Sequence, residues 1–321
     1  MTIQRMLRAA AIAAALCSTS AAPLQTPSGV SAEPTAWFCP MHPEVTSTDG
    51  GRCRKCGMAF VQGDPFDTRE YVVDVATAPA AVRSGVSVTM TLTVRHPGTG
   101  DPITKFETVH ERRYHLFVIS RDMEVFEHLH PEQRTDGRWE IQLTLPKPGY
   151  YQILSDFLPG GGASQFIGHT LVTADFDGDL ESQAPRLLPD TGSSKNVGSI
   201  NAYVQLEPPI LVAGEYGHLS FTLTDAVTGQ PVTDLQPYLG SFGHTLILSE
   251  DMADYVHSHP YEGSESINGD TPGGPRVTFE GYMPRAGRYR AWTQFLRRGE
   301  LVTVPFTFRV STVDEAVGAG R

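Results

Sequence analysis

The chain has 321 residues and a formal net charge of −11. Such a length predicts about two domains and suffices to bury real cores without disulfides. An acidic chain with no basic block argues against nucleic acid as a partner, while its negative field attracts cations only weakly and without selectivity.

Arg5 and Arg8 precede a short apolar run from Ala9 to Cys17, and small residues follow from Ser18 to Ala22. The run is shorter than the ~20 apolar residues of a spanning helix. Residues 1–22 therefore read as an export signal, which places the mature chain in the periplasm or outside the cell. Ser20-x-Ala22 fits the small-x-small rule for cleavage, but leaves Pro23 as the first mature residue. A lipid anchor on Cys17 is the alternative, disfavoured by the large Leu16 before it. Nothing further along reads as a transmembrane helix. Residues 23–36, rich in Pro, Ser, Thr and Ala, read as a linker.

The cysteines are Cys17, Cys39, Cys53 and Cys56. Loss of Cys17 with the signal leaves three, an odd number that closes no disulfide framework. A metal is the natural protection for such thiols. Residues 37–65 form a compact module around them. Cys53-x-x-Cys56-Gly57 is a knuckle: two thiolates hold one ion, and glycine lets the chain turn tightly. Cys39 supplies a third thiolate, and His42 completes a Cys₃His tetrahedron of the kind structural zinc prefers. Met41 and Met58 offer thioethers, which suit Cu(I). A Cys53–Cys56 redox pair is the competing reading, but no thioredoxin-like βαβ unit surrounds it. Cys39-Pro-Met41-His42-Pro followed by Cys53-x-x-Cys56-Gly-Met58 resembles the small heavy-metal-binding domain of bacterial copper/silver efflux adaptors and of some heavy-metal P-type ATPases. Arg54 stands where that family usually has proline, which touches loop stiffness rather than a ligand. The resemblance implies heavy-metal binding, often of copper.

From Tyr71 the pattern changes to short β-branched runs, such as Tyr71–Val75 and Val86–Val94, split by Gly/Pro turns. This predicts an all-β sandwich. Residues 85–131 align without a gap onto 214–260 at an offset of 129. The register resumes at 138 after nine extra residues around Gly263–Gly274. The fold expected is therefore mainly β: the small Cys/His module, then two tandem antiparallel β-sandwiches at 70–176 and 197–312. Residues 177–196 join them as a linker, and 313–321 form a tail. More loosely, these segments resemble secreted YtkA-like or Ig-like/cupredoxin-like sandwich domains. The reading predicts that each half folds alone.

The repeat carries His115-x₇-Met123-x₄-His128-x-His130 in one copy and His244-x₇-Met252-x₄-His257-x-His259 in the other. His96, His110, His169 and His218 have no histidine counterpart and serve as internal controls. His128 and His130 share one strand face. An even-length turn after the strand that His115 begins places all three imidazoles together, since opposed Cβ atoms lie roughly 4.5–5.5 Å apart. Each copy is thus expected to hold its own His₃ metal site. Asp156 with its counterpart Gln294, and His169, are candidates for a fourth group. Met123 and Met252 fall at the hairpin tip and read as turn or core residues.

No GxSxG elbow, Walker loop, GxGxxG or HExxH occurs. The β segments carry no cysteine, which excludes a blue-copper His₂Cys site there. The expectation is a non-catalytic, exported binder of metal ions that buffers, chaperones or delivers copper, or zinc, with an efflux or uptake protein of the envelope as its partner. Two other classes stay open. One is an envelope-interaction protein with structural metal sites; the other is a His₃-metal enzyme, for which no general base can be named.

Overall fold

A computed structural model describes residues 36–190, 192–260 and 273–319. The expected signal, Cys17, the linker before Ala36 and most of the nine-residue insertion lie outside them. The described chain is nearly all β, as the alternating runs predict, and α1 (Val313–Ala319) is its one α-helix. No helix among the described residues is long and apolar enough to cross a membrane.

The cysteine module is a three-stranded sheet of β1 (Ala36–Cys39), β2 (His42–Ser47) and β3 (Val61–Gly63), in the order β2-β1-β3. The Pro40–Met41 turn returns the chain so that Cys39 pairs with His42. The module is seated on the first repeat. Phe38 and Val61 pack with Leu158, Gly63 bridges Gly161 in parallel, and Ser164 Oγ donates to the Pro40 carbonyl at 3.3 Å. Glycine is required at position 63, because a Cβ there would sit 2.9 Å from the Gly162 carbonyl oxygen.

The first repeat contains β4 (Val72–Ala78), β5 (Ser87–Arg95), β6 (His115–Ser120), β7 (Phe126–Leu129), β8 (Glu132–Gln133), β9 (Trp139–Thr144), β10 (Tyr150–Phe157) and β11 (Gln165–Val172). They form two antiparallel sheets, β4-β5-β9-β8 and β11-β10-β6-β7, around a core that includes Met90, Leu92, Leu116, Val118, Trp139 and Ile153. The second repeat contains β12 (Ser194–Val197), β13 (Ile200–Glu207), β14 (Leu211–Val212), β15 (Glu215–Asp225), β16 (Leu235–Gln236), β17 (His244–Ser249), β18 (Tyr255–Ser258), β19 (Arg276–Met283), β20 (Gly287–Arg297) and β21 (Glu300–Ser311). Its sheets run β12-β13-β15-β19 and β14-β21-β20-β17-β18, and its core includes Phe221, Phe279 and Phe295.

The two sandwiches are not independent. All six residues of β6 and all six of β17 are buried. Leu116 and Val118 face the core of their own repeat. Phe117 and Ile119 face the other way, into a shared apolar layer with Leu246, Leu248 and Trp292 of the second repeat. Strands buried on both faces lose the apolar/polar alternation of a one-sided strand, which is why both read as near-continuous apolar runs. Phe126 and Trp292 stack across the layer with ring centroids 5.0 Å apart. A half expressed alone would expose this layer, a cost that the expected folding of each half by itself has to meet. Trp292→Ala is expected to cost about 3–5 kcal/mol, the range for deleting a buried aromatic ring. Chemical denaturation checks this, and a loss below ~1 kcal/mol would mean that the shared layer adds little stability.

Candidate metal centres

Three cysteine thiols and one imidazole converge in the module. Cys39 and Cys56 Sγ lie 3.5 Å apart. His42 Nδ1 lies 3.7 Å from both Cys39 Sγ and Cys53 Sγ. Ligand sulfurs at ~2.3 Å from a tetrahedral zinc are separated by about 3.8 Å, so the spacing and the donor set fit one ion. The knuckle forms as the spacing predicts. Gly57 N–H donates to the Cys53 carbonyl at 2.7 Å, Cys53 N–H donates to the Met58 carbonyl at 2.8 Å, and Gly57 takes φ +71°. Cys39 and Cys56 share a proton: the hydrogen bond between them pushes the Cys56 thiol down to about 4 and the Cys39 thiol up. The lowered Cys56 is the readier of the two to become thiolate, the form that binds metal. Met41 and Met58 pack against the thiols. Replacing Cys53 and Cys56 together by serine is expected to remove one bound ion and leave both sandwiches folded. Metal analysis with circular dichroism reads both effects, and an unchanged metal count would contradict the assignment.

The second centre lies between the repeats. In each hairpin the turn is even-numbered: Phe117 opposes His128 and Leu246 opposes His257, which brings the triads together as expected. Met123 and Met252 take φ +61° and +60° in the turns and pack into the shared apolar layer, as turn and core residues. His169 is exposed on β11 and takes no part.

The expectation of two separate His₃ sites is corrected. The inner faces of β6 and β17 meet, so both triads enter one buried cluster. His115, His128 and His257 offer nitrogens that all lie within 4.8 Å of one another, and the third of these comes from the other repeat. His115 and His130 rings are 5.0 Å apart, His244 and His257 rings 5.7 Å. His110 also joins: its Nε2 lies 2.8 Å from His259 Nε2. As a histidine unmatched in the second repeat it was an expected control, and repeat comparison gives no sign of its role.

The outer nitrogens of four imidazoles are tied to acceptors. His257 Nδ1 is 2.7 Å from Asp156 Oδ2, and His128 Nδ1 is 2.9 Å from Gln294 Oε1. The Gln294 amide donates from Nε2 to Thr303 Oγ1, which leaves Oε1 to accept. His115 Nε2 faces the Val109 carbonyl at 3.0 Å, and His244 Nε2 faces the Leu239 carbonyl at 3.3 Å. Each contact fixes the tautomer and aims the bare nitrogen inward, the usual support of a metal-bound histidine. Asp156 and Gln294 therefore act as supports rather than fourth ligands, and each supports a histidine of the opposite repeat.

The inner nitrogens show what is wanted there. His130 Nε2, His244 Nδ1 and His257 Nε2 are buried with no hydrogen-bond partner among the described residues. His115 Nδ1 and His128 Nε2 lie 3.0 Å apart with their protons on the far nitrogens. Two lone pairs at that distance repel unless a cation sits between them. Desolvation, followed by charge repulsion from His257, pushes His115 down to about 4. Desolvation likewise pushes His130 and His259 to about 3 and places His110, His128 and His244 well below the ordinary value. These six rings are therefore held toward the neutral form, the one that ligates metal. Asp156→Ala is expected to weaken the ion by about ten- to a hundredfold, the usual cost of losing such a support. Titration calorimetry measures it, and unchanged affinity would contradict the role.

These features define a heavy-metal-binding module followed by a duplicated β-sandwich. Residues 36–62 match the heavy metal binding domain family. Residues 67–174 and 197–312 match a family described as a domain of unknown function, DUF8832, to which the chain belongs. No protein of curated function is significantly similar in sequence. Among solved structures, the chain is 16% identical to the Escherichia coli adhesin FdeC, covering 83% of this chain and 76% of that one at a TM-score of 0.24. It is 11% identical to the Yersinia pseudotuberculosis adhesin InvE, covering 74% of this chain and 60% of that one at a TM-score of 0.23. A two-domain fibronectin type III segment of chicken tenascin is 12% identical, with 76% and 100% covered and a TM-score of 0.21.

Proposed function

We propose that the protein is an exported, non-catalytic handler of heavy metal, with copper as its cargo, acting in buffering, chaperoning or delivery to an envelope partner. The observation that carries this reading is the pairing, in one chain, of a buried Cys₃His centre with a buried imidazole centre. Thiolate suits Cu(I), and imidazole suits copper and zinc ions. Copper is thus the metal that both donor sets serve. The residues that hold it are Cys39, His42, Cys53 and Cys56 in the module and His115, His128 and His257 between the repeats. Burial shields most of the ligand atoms of both centres from bulk water, and the supported tautomers keep the imidazoles ready without a proton to expel.

Export and cargo are tested together by metal analysis of protein recovered from the periplasm of cells grown in copper. Copper that leaves to a competing chelator is the expected result. A cytoplasmic protein, or a single zinc that does not exchange, would contradict the reading.

A further inference from the structure

The cysteine module and the histidine cluster do not stand apart. One cleft of about 440 Å³ has Met41, His42 and Cys56 on one wall and His110, His257 and His259 on the other. A second cleft, of about 340 Å³, again sets Cys56 and Met58 against His110 and His259. His110 and His259 are thus the two imidazoles that border both clefts. They also reach inward: the His110 ring lies 5.1 Å from His257, and the His259 ring lies 5.5 Å from His244.

His110 breaks the repeat in a telling place. Its counterpart at the offset of 129 is Leu239, on a turn with the same left-handed backbone, φ +50° against +54°. The repeat that carries the cysteine module has an imidazole there, and the other has none. Val109, next in chain, packs against the module's Phe38 and Val61, so the docking of the module and the placement of His110 are one feature.

We propose that His110 and His259 form an internal relay, along which a metal ion passes between the Cys39/His42/Cys53/Cys56 centre and the interdomain histidine centre. The proposal rests on the metal-handling reading above. The ion moves by ligand exchange and keeps its charge and oxidation state. One Nε2 of the His110–His259 pair carries the proton of their hydrogen bond. Cleft water takes that proton while giving one to Nδ1 of the same ring, so the ring stays neutral with its Nε2 lone pair open to the ion, and the exchange reverses once the ion has moved on. Thiolates and Met41 give way to imidazoles, so the donor set hardens stepwise along the path.

The test uses Co(II) as the probe on the full reduced chain. One equivalent is added, and the thiolate-to-cobalt absorption is followed in time. The band is expected to rise, then fall as the ion redistributes to imidazoles, at a rate independent of protein concentration. His110→Leu, which installs the residue of the second repeat, is expected to slow the fall by about tenfold, or ~1.4 kcal/mol on the barrier, with total cobalt unchanged. His110→Gln is read by the same criterion if the leucine variant loses the native circular dichroism. A fall that is not slowed, a rate that scales with protein concentration, or a band that never falls would overturn the relay. Absence of cobalt binding in the unmodified protein would instead contradict the metal-handling reading itself.

Discussion

Replacing His128 alone, or His257 alone, by alanine is expected to remove the same single ion from the interdomain centre. The two residues belong to different repeats, 129 positions apart in the chain, yet their nitrogens fall in one ligand group with His115. Each is held by the opposite repeat, His128 by Gln294 and His257 by Asp156. Loss of one imidazole from three drops the site below the donor count a stable site needs. Affinity should fall by at least about a hundredfold, more than the loss of a supporting residue costs. Equilibrium dialysis of the two variants and of the double variant reads this, and the double variant should lose no more metal than either single one. A double variant that loses two ions would show that each repeat binds its own.

Acid is expected to destabilise the metal-free protein steeply. Six histidines, all buried but the half-buried His130, have folded-state values below the ordinary one: His115 near 4, His130 and His259 near 3, and His110, His128 and His244 depressed by desolvation and mutual repulsion. The unfolded chain takes up its protons near pH 6.5, and the folded chain does so only near pH 4 and below. Between those limits the unfolded state binds more protons, so stability falls as pH falls. Each such histidine contributes up to about 2 kcal/mol by pH 5. Together they rival the ~5–15 kcal/mol that holds a typical domain folded. A urea midpoint that drops sharply from pH 7 to pH 5 is the expected result, and saturating metal should shift the drop to lower pH, because the ion competes with protons for the same nitrogens. A flat profile would mean that the imidazoles are hydrated.

Local chemistry made much of this legible in the sequence. The knuckle needs only Cys53, Cys56 and Gly57 close together, and the hairpin that gathers each triad needs only an even turn. Both follow from contacts among near neighbours. What escaped depends on contacts between distant segments. Asp156 sits beside His115 on the adjoining strand yet bonds His257, and no spacing rule predicts that crossing. The one sequence sign of the paired faces was the unbroken burial of β6 and β17, visible as runs such as Leu116–Ile119 without polar alternation, which also fits a strand inside a single sandwich. His110 left no sign, because repeat comparison rewards residues present twice, and its role lies in the asymmetry that the cysteine module imposes.

The duplicated halves build one histidine centre between them. The most direct measurement is the number and kind of ions held by the full reduced chain, by metal analysis with X-ray absorption on the cysteine-free and histidine-substituted variants. Two ions are expected: one in a sulfur-rich shell lost with Cys53 and Cys56, and one in an all-nitrogen shell lost with either His128 or His257. Three ions, two of them in nitrogen shells lost separately with the two triads, would contradict it.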